Sequence, residues 1–282
     1  MMSFDWKSLT TDELELQFNP RAVPANRGDF DRIFAELSAA ARSSLRHEAG
    51  IRYGTADQML MDIFPADDPA APTMIFIHGG YWRARTKDEF GFVAGAFTPR
   101  GVTTINLDYD LCPTVTLDDI VAEIIEGVDW IARNSAARGG NPDRLYLAGH
   151  SAGAHLAAMA LATDWTARGL PKDLIKGVTL MSGIYDPEPA RHISVNDDLH
   201  LTADMAARCN ALTATPKTDC PILTTVGGVE PEGWIDQSRQ YQEKFGGELM
   251  ISPGDGHLGL LQTHCDGKSD LFRAQLSQMG IS

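Results

Sequence analysis

The chain has 282 residues, 43% of them hydrophobic and 22% charged, the balance of an ordinary globular protein, which excludes a disordered, collagen-like or coiled-coil chain. At this length a sizeable core forms without disulfides or a structural metal, as one large domain or two small ones. A formal charge of −14 repels phosphates, so nucleic acid and anionic membrane are poor partners. It favours neutral or cationic small molecules only weakly, because net charge does not locate a pocket, and a small-molecule substrate, with the chain alone or as a homodimer, is a separate expectation.

The opening segment, MMSFDWKSLTTDELELQF, is acidic and lacks an apolar run. Neither a signal peptide nor a membrane span is expected there, which points to the cytoplasm. Cys112, Cys209, Cys220 and Cys265 show no CxxC or metal-ligand spacing. They read as free thiols of a reducing compartment. The first fifty residues show no strand character. Asn19 to Asn26, with two prolines, reads as loop. Phe30, Ile33, Phe34, Leu37 and Ala41 then recur at helical spacing, predicting an amphipathic helix from Asp29 to about Leu45.

After Gly50 the pattern changes. Met59, Met61 and Ile63 alternate with Leu60, Asp62 and Phe64 as in a strand, which Pro65 ends. Asp67 to Pro72 is a turn. Thr73–Ile77 and Gly101–Leu107 are short apolar runs suited to strands buried on both faces. A helix-length segment, Lys87–Arg100, separates them. Thr116 is a helix N-cap ahead of Asp118 and Asp119, and Ile120, Val121, Ile124, Ile125, Val128 and Ile131 follow at helical spacing. Further strands are expected at Arg144–Ala148, Gly177–Met181, Ile222–Val226 and Glu248–Ile251. Further helices are expected at Ala152–Thr163, Glu232–Phe245 and Asp270–Met279.

Strands alternating with helices imply an α/β fold with a mostly parallel sheet and helices on both faces. Such a sheet carries its chemistry at the carboxyl ends of its strands. Residues 186–216 break the alternation, with one weak helical pattern at Leu201–Leu212, and read as a cap insertion. With residues 1–50 as an arm, the whole of 1–282 forms one domain.

Three loops at strand ends carry the chemistry. Gly149-His150-Ser151-Ala152-Gly153 matches G-x-S-x-G between a predicted strand and a predicted helix, the context a nucleophile elbow needs. Its small residues permit the tight turn, and the helix N-terminus behind Ser151 supplies N–H groups for negative charge. His78-Gly79-Gly80-Tyr81-Trp82 ends the strand Thr73–Ile77. The backbone N–H groups of Gly79 and Gly80, with that of Ala152, would form an oxyanion hole. Tyr81 and Trp82 either wall the substrate pocket or pack in the core beneath the loop.

A serine nucleophile needs a base, and the base needs an orienting acid, in the order Ser, acid, His. His257, after the last strand, is preferred as base over His264. His78 is expected to brace the oxyanion loop, and His155 lies one turn into the nucleophile helix. Glu230, just past Ile222–Val226, is the preferred acid over Asp236, Asp186 and Asp255. Arg191 and His192 are further candidates for cap contacts.

H-G-G-Y-W at 78–82, G-H-S-A-G at 149–153 and G-G-V-E-P-E-G-W-I-D-Q-S at 227–238 resemble the kynurenine formamidase (arylformamidase) branch of the α/β-hydrolases, near the hormone-sensitive-lipase-like esterases. The resemblance spans about residues 50–265 and extends to the N-terminal arm. It implies Ser151 as nucleophile, His257 as base, and an acid at Glu230, where members often carry Asp. Leu258 stands where many relatives have an aromatic residue. The resemblance implies hydrolysis of an aryl formamide such as N-formylkynurenine. A general carboxylesterase and a xenobiotic aryl amidase are the alternatives, and a non-catalytic ligand receptor of the same fold is a third. No metal or organic cofactor is required by such a mechanism.

Overall fold

The computed structural model describes residues 4–22 and 27–281. Eight strands form one sheet: β1 (Glu48–Arg52), β2 (Leu60–Phe64), β3 (Thr73–Ile77), β4 (Thr103–Leu107), β5 (Leu145–His150), β6 (Ile175–Met181), β7 (Ile222–Gly227) and β8 (Glu248–Ser252). Their spatial order is β1-β2-β4-β3-β5-β6-β7-β8. β2 pairs antiparallel with β1 and β4, and all other pairs are parallel. The helices are α1 (Thr11–Phe18), α2 (Arg27–Ser44), α3 (Gly91–Phe97), α4 (Leu117–Asn134), α5 (Ala152–Leu161), α6 (Asn196–Leu199), α7 (Ala203–Arg208), α8 (Glu232–Phe245), α9 (Gly259–Cys265) and α10 (Asp270–Gln278).

The central strands are apolar throughout because side chains alternate between two cores. Ile75 and Ile77 of β3 and Leu145 and Leu147 of β5 pack with α4, α5 and α8. Met74, Phe76, Tyr146 and Ala148, one residue out of phase, pack with α3, α9, α10 and Phe34 of α2. This is the expected layered α/β arrangement. Thr116 caps α4 as its sequence predicts, its hydroxyl accepting from Asp119 N–H while the Asp119 carboxylate accepts from Thr116 N–H.

Three differences from the sequence expectations have local causes. β1 begins inside the first fifty residues. It is an exposed edge strand with a register irregularity between Glu48 and Ile51, so it shows no apolar alternation. α1 was not expected, although Thr10 and Glu13 form a capping box. It buries only Leu14 and Phe18, too few positions for a clear period. α9, of seven residues, is likewise too short to show one. In the 186–216 insertion the weak pattern contracts to α7, capped by Thr202. Of the expected loop 19–26, residues 23–26 lie outside the described residues. Among the described residues no helix is long and apolar enough to cross a membrane.

Candidate active site

Ser151 joins β5 to α5 with φ 58° and ψ −119°, a conformation that L-residues rarely adopt. Two restraints hold it there. Its N–H donates to the carbonyl of Met181 at the end of β6 (2.8 Å). The turn also presses against the tip of β3, where a Cβ on Gly153 would lie 2.0 Å from the Ile77 carbonyl oxygen. Only glycine permits that approach. Ser151 is buried from bulk solvent but lines a cavity of about 650 Å³, which His257 and His150 also line.

His257 stands in the loop after β8. Its Nδ1 lies 2.7 Å from Glu230 Oε2, which leaves Nε2 as the nitrogen free to act. The other carboxylate oxygen, Oε1, accepts from Gly227 N–H (2.8 Å) and from the Ser182 hydroxyl (2.5 Å). Ser182 follows β6 with φ 46°, so β6, β7 and the β8 loop converge on one buried carboxylate. Trp234 packs against the imidazole, ring centres 4.5 Å apart.

The rivals are placed elsewhere. His264 is buried on α9 against Phe76 and Phe97, and burial pushes its pKa down to about 3. Asp236 accepts from Gln240 on α8, Asp255 from Ser252, and Asp186 from Asn210 and the N–H of Glu188. His155 is buried, with Nε2 2.7 Å from the Cys209 carbonyl oxygen, and burial lowers its pKa to about 4.

The loop after β3 meets the turn that carries Ser151. A Cβ on Gly79 would lie 3.0 Å from Ser151 Cβ and 2.8 Å from the His150 carbonyl oxygen, so the backbone runs directly against the serine. The N–H groups of Gly79, Gly80 and Ala152 have no hydrogen-bond acceptor among the described residues. His78 braces the loop, as its position suggests. Its Nδ1 lies 2.7 Å from the Gly79 carbonyl oxygen, its Nε2 2.9 Å from Asp108 Oδ1, and its ring stacks on Tyr109. Because a trans peptide sets C=O and N–H on opposite sides, holding the Gly79 carbonyl also fixes the direction of the Gly80 N–H.

The two aromatic candidates separate. Tyr81 lines the cavity, and its hydroxyl donates to the Phe18 carbonyl at the end of α1 (3.1 Å). Trp82 does not line it. It is fully buried beneath the loop, edge-on to His155, so of the two alternatives Trp82 takes the core position and is not a candidate substrate contact. The arm supplies more of the wall than the motifs suggested: Asn19–Arg21 and the α2 residues Phe34, Ala35, Ser38 and Ala39 all face the cavity. No residue of 186–216 does, and Arg191 and His192 both approach Glu188 instead. The insertion supports the arm from behind, since Asn19 donates to the Ser194 hydroxyl (3.4 Å).

His150 has a part that the sequence did not reveal. Its Nε2 donates to the backbone carbonyl of His257 (2.8 Å). Burial chiefly, with the neighbouring His257 ring next, holds its pKa well below the usual histidine range, so the ring is neutral. Ser182 was also missed, because nothing in Met181-Ser182-Gly183 distinguishes it from an ordinary strand-to-loop exit. Among the described residues no cluster of His, Cys, Asp and Glu is placed to hold a metal ion.

An α/β-hydrolase fold family model matches residues 74–228. Kynurenine formamidase of Danio rerio is 35% identical over 99% of this chain and 99% of its own length. That of Salmo salar is 30% identical over 98% and 99%. Among solved structures, a candidate thioesterase of Silicibacter sp. TM1040 superposes with a TM-score of 0.81 at 27% identity, covering 92% of this chain and 98% of that one. Fold and sequence together define an α/β-hydrolase, an enzyme of hydrolysis. Within that superfamily the chain belongs to the kynurenine formamidase-like family.

Proposed function

We propose that the chain hydrolyses small aryl amides through an acyl-enzyme, with N-formylkynurenine as the foremost substrate. Ser151 Oγ attacks the formyl carbonyl while His257 Nε2 takes its proton. Glu230 orients the imidazole and stabilises its charged form. The developing oxyanion is met by the N–H groups of Gly79, Gly80 and Ala152, where one lost donor costs about a hundredfold or more. His257 then gives the proton to the leaving arylamine. Water enters by the same route and releases formate.

The observation that carries this reading is the 2.7 Å Glu230–His257 bond facing the cavity that Ser151 lines. Phe34, Tyr81, Phe90 and Leu258 in the cavity wall favour an aromatic substrate. Ester hydrolysis is a second outlet for the same acyl-enzyme. The four unpaired cysteines support a reducing, cytoplasmic setting.

The test compares N-formylkynurenine, p-nitrophenyl acetate and an aryl acetamide on the wild type and on Ser151→Ala. Loss of roughly a million-fold in kcat is expected for Ser151→Ala, and a near-wild-type rate would overturn its role. Ester hydrolysis with no formamide hydrolysis would overturn the substrate.

A further inference from the structure

We propose that Arg85, held between Asp31 and Glu89, recognises a zwitterionic amino-acid head on the substrate, which makes this cluster the specificity subsite of the cavity. The proposal rests on the aryl amidase reading above and deepens it. Arg85 lies just beyond the oxyanion loop, and a Cβ on Gly80 would approach its Cγ to 3.1 Å. Its own backbone has φ 78°. With Tyr81 and Trp82 at φ 56°, three non-glycine residues in five hold left-handed conformations, a local strain that persists only where the surroundings enforce it. That backbone sends the guanidinium into the cavity wall, toward the arm.

The partners there are of mixed charge. Arg85 Nη2 donates to Asp31 of α2 (2.7 Å), and Nη1 donates to Glu89. Its Nε–H has no acceptor among the described residues. Arg85, Asp31 and Glu89 all line the cavity that Ser151 lines, and all remain partly exposed. One guanidinium between two carboxylates leaves an excess negative charge for an ammonium group. The unoccupied edge of the guanidinium offers donors to a carboxylate. A plain anion meets the two carboxylates, and a plain cation meets Arg85. A head bearing both charges satisfies the set. Arg83 and Arg42 line the same cavity but are engaged elsewhere, Arg83 with Asp198 of the insertion and Arg42 with the buried Asp62.

The experiment measures kcat/KM for N-formylkynurenine and for 2′-formamidoacetophenone, which keeps the aryl formamide and lacks the amino-acid head. The wild type is expected to favour the first by roughly thirtyfold, the worth of a charge-assisted pair of bonds. Arg85→Met is expected to reduce that preference to about threefold through KM, and Arg85→Lys to restore it only in part. Asp31→Asn, at a half-exposed site, should also reduce the preference, which covers a failure of the Arg85 variants to fold. As a readout that needs no formamide turnover, L-kynurenine and 2′-aminoacetophenone are compared as inhibitors of p-nitrophenyl acetate hydrolysis. Stronger inhibition by L-kynurenine is expected. Equal inhibition, or a substrate preference unchanged in Arg85→Met and Asp31→Asn, overturns the subsite. Normal ester hydrolysis with neither formamide cleaved, but with selective inhibition by L-kynurenine, overturns the amidase reading and leaves the subsite standing.

Discussion

His150 and His257 are joined by one hydrogen bond, from the Nε2–H of the first to the backbone carbonyl of the second, 2.8 Å long. The bond ties the nucleophile turn to the loop that carries the proposed base. His150 acts through position, since its Nε2–H is committed to a carbonyl. His150→Ala is expected to lower kcat on p-nitrophenyl acetate by about tenfold, the cost of one lost bond to a positioning group. KM should change much less. His150→Gln, which can present an amide N–H, should recover part of the loss. Equal kcat in His150→Ala and wild type would remove the tie from the mechanism.

Glu230 is fixed at both oxygens, and the two ends are separable. Glu230→Gln keeps the shape but loses the charge that stabilises the imidazolium, so kcat should fall by about 10⁴-fold. Ser182→Ala removes only the hydroxyl on Oε1 and should cost about three- to tenfold. Steady-state kinetics on one ester substrate distinguish them. A Ser182→Ala loss as large as that of Glu230→Gln would mean that the carboxylate collapses without its support.

Acid should destabilise the fold before the carboxylates titrate. His150, His155 and His264 all have pKa values held below the usual 6.5 by burial. Below that value the unfolded chain binds protons that the folded chain refuses, so stability falls as pH falls. Each such proton is worth about 1.4 kcal/mol per pH unit. Glu123, raised to about 7, works in the opposite sense between 4.5 and 7, and three histidines outweigh one carboxylate. Thermal unfolding at pH 7 and pH 5 checks this, with a lower Tm expected at pH 5. An equal or higher Tm there would refute it.

Glu123 itself offers a stabilising change. It is buried on α4, chiefly desolvated, and its Oε2 accepts from Asp110 N–H (2.8 Å). A folded pKa raised from 4.5 to about 7 contributes stability at low pH that is lost as pH rises through 7. Glu123→Gln keeps an acceptor and carries no charge. Its Tm should exceed the wild type by about 2 °C or more at pH 8, with the gain absent at pH 5. Differential scanning calorimetry at the two pH values gives the comparison.

The sheet and the strand-end loops were legible because they obey short-range rules. Thr73–Ile77 reads as a doubly buried strand from five residues, and Gly149–Gly153 reads as an elbow from G-x-S-x-G between a strand and a helix. Glu230 and His257 follow from chain order once the strands are counted. What stayed hidden depends on long-range placement. Ser182 and Glu230 are 48 residues apart, and His150 and His257 are 107 apart. Asp31 meets Arg85 only because α2 lines the same cavity as the loop after β3. The core position of Trp82 could not be told from the cavity-lining position of Tyr81 next to it, because both depend on how the loop folds.

The hydroxyl of Tyr81 donates to the last carbonyl of α1, and α2 builds one side of the cavity. The proposed attacking serine, base and acid all come from residues beyond 150, whereas much of the surface a substrate meets comes from residues before 45. Selection can therefore act on the two separately. Exchange of the first forty-five residues between relatives is expected to change which molecules are admitted, while the groups proposed to break the bond stay as they were.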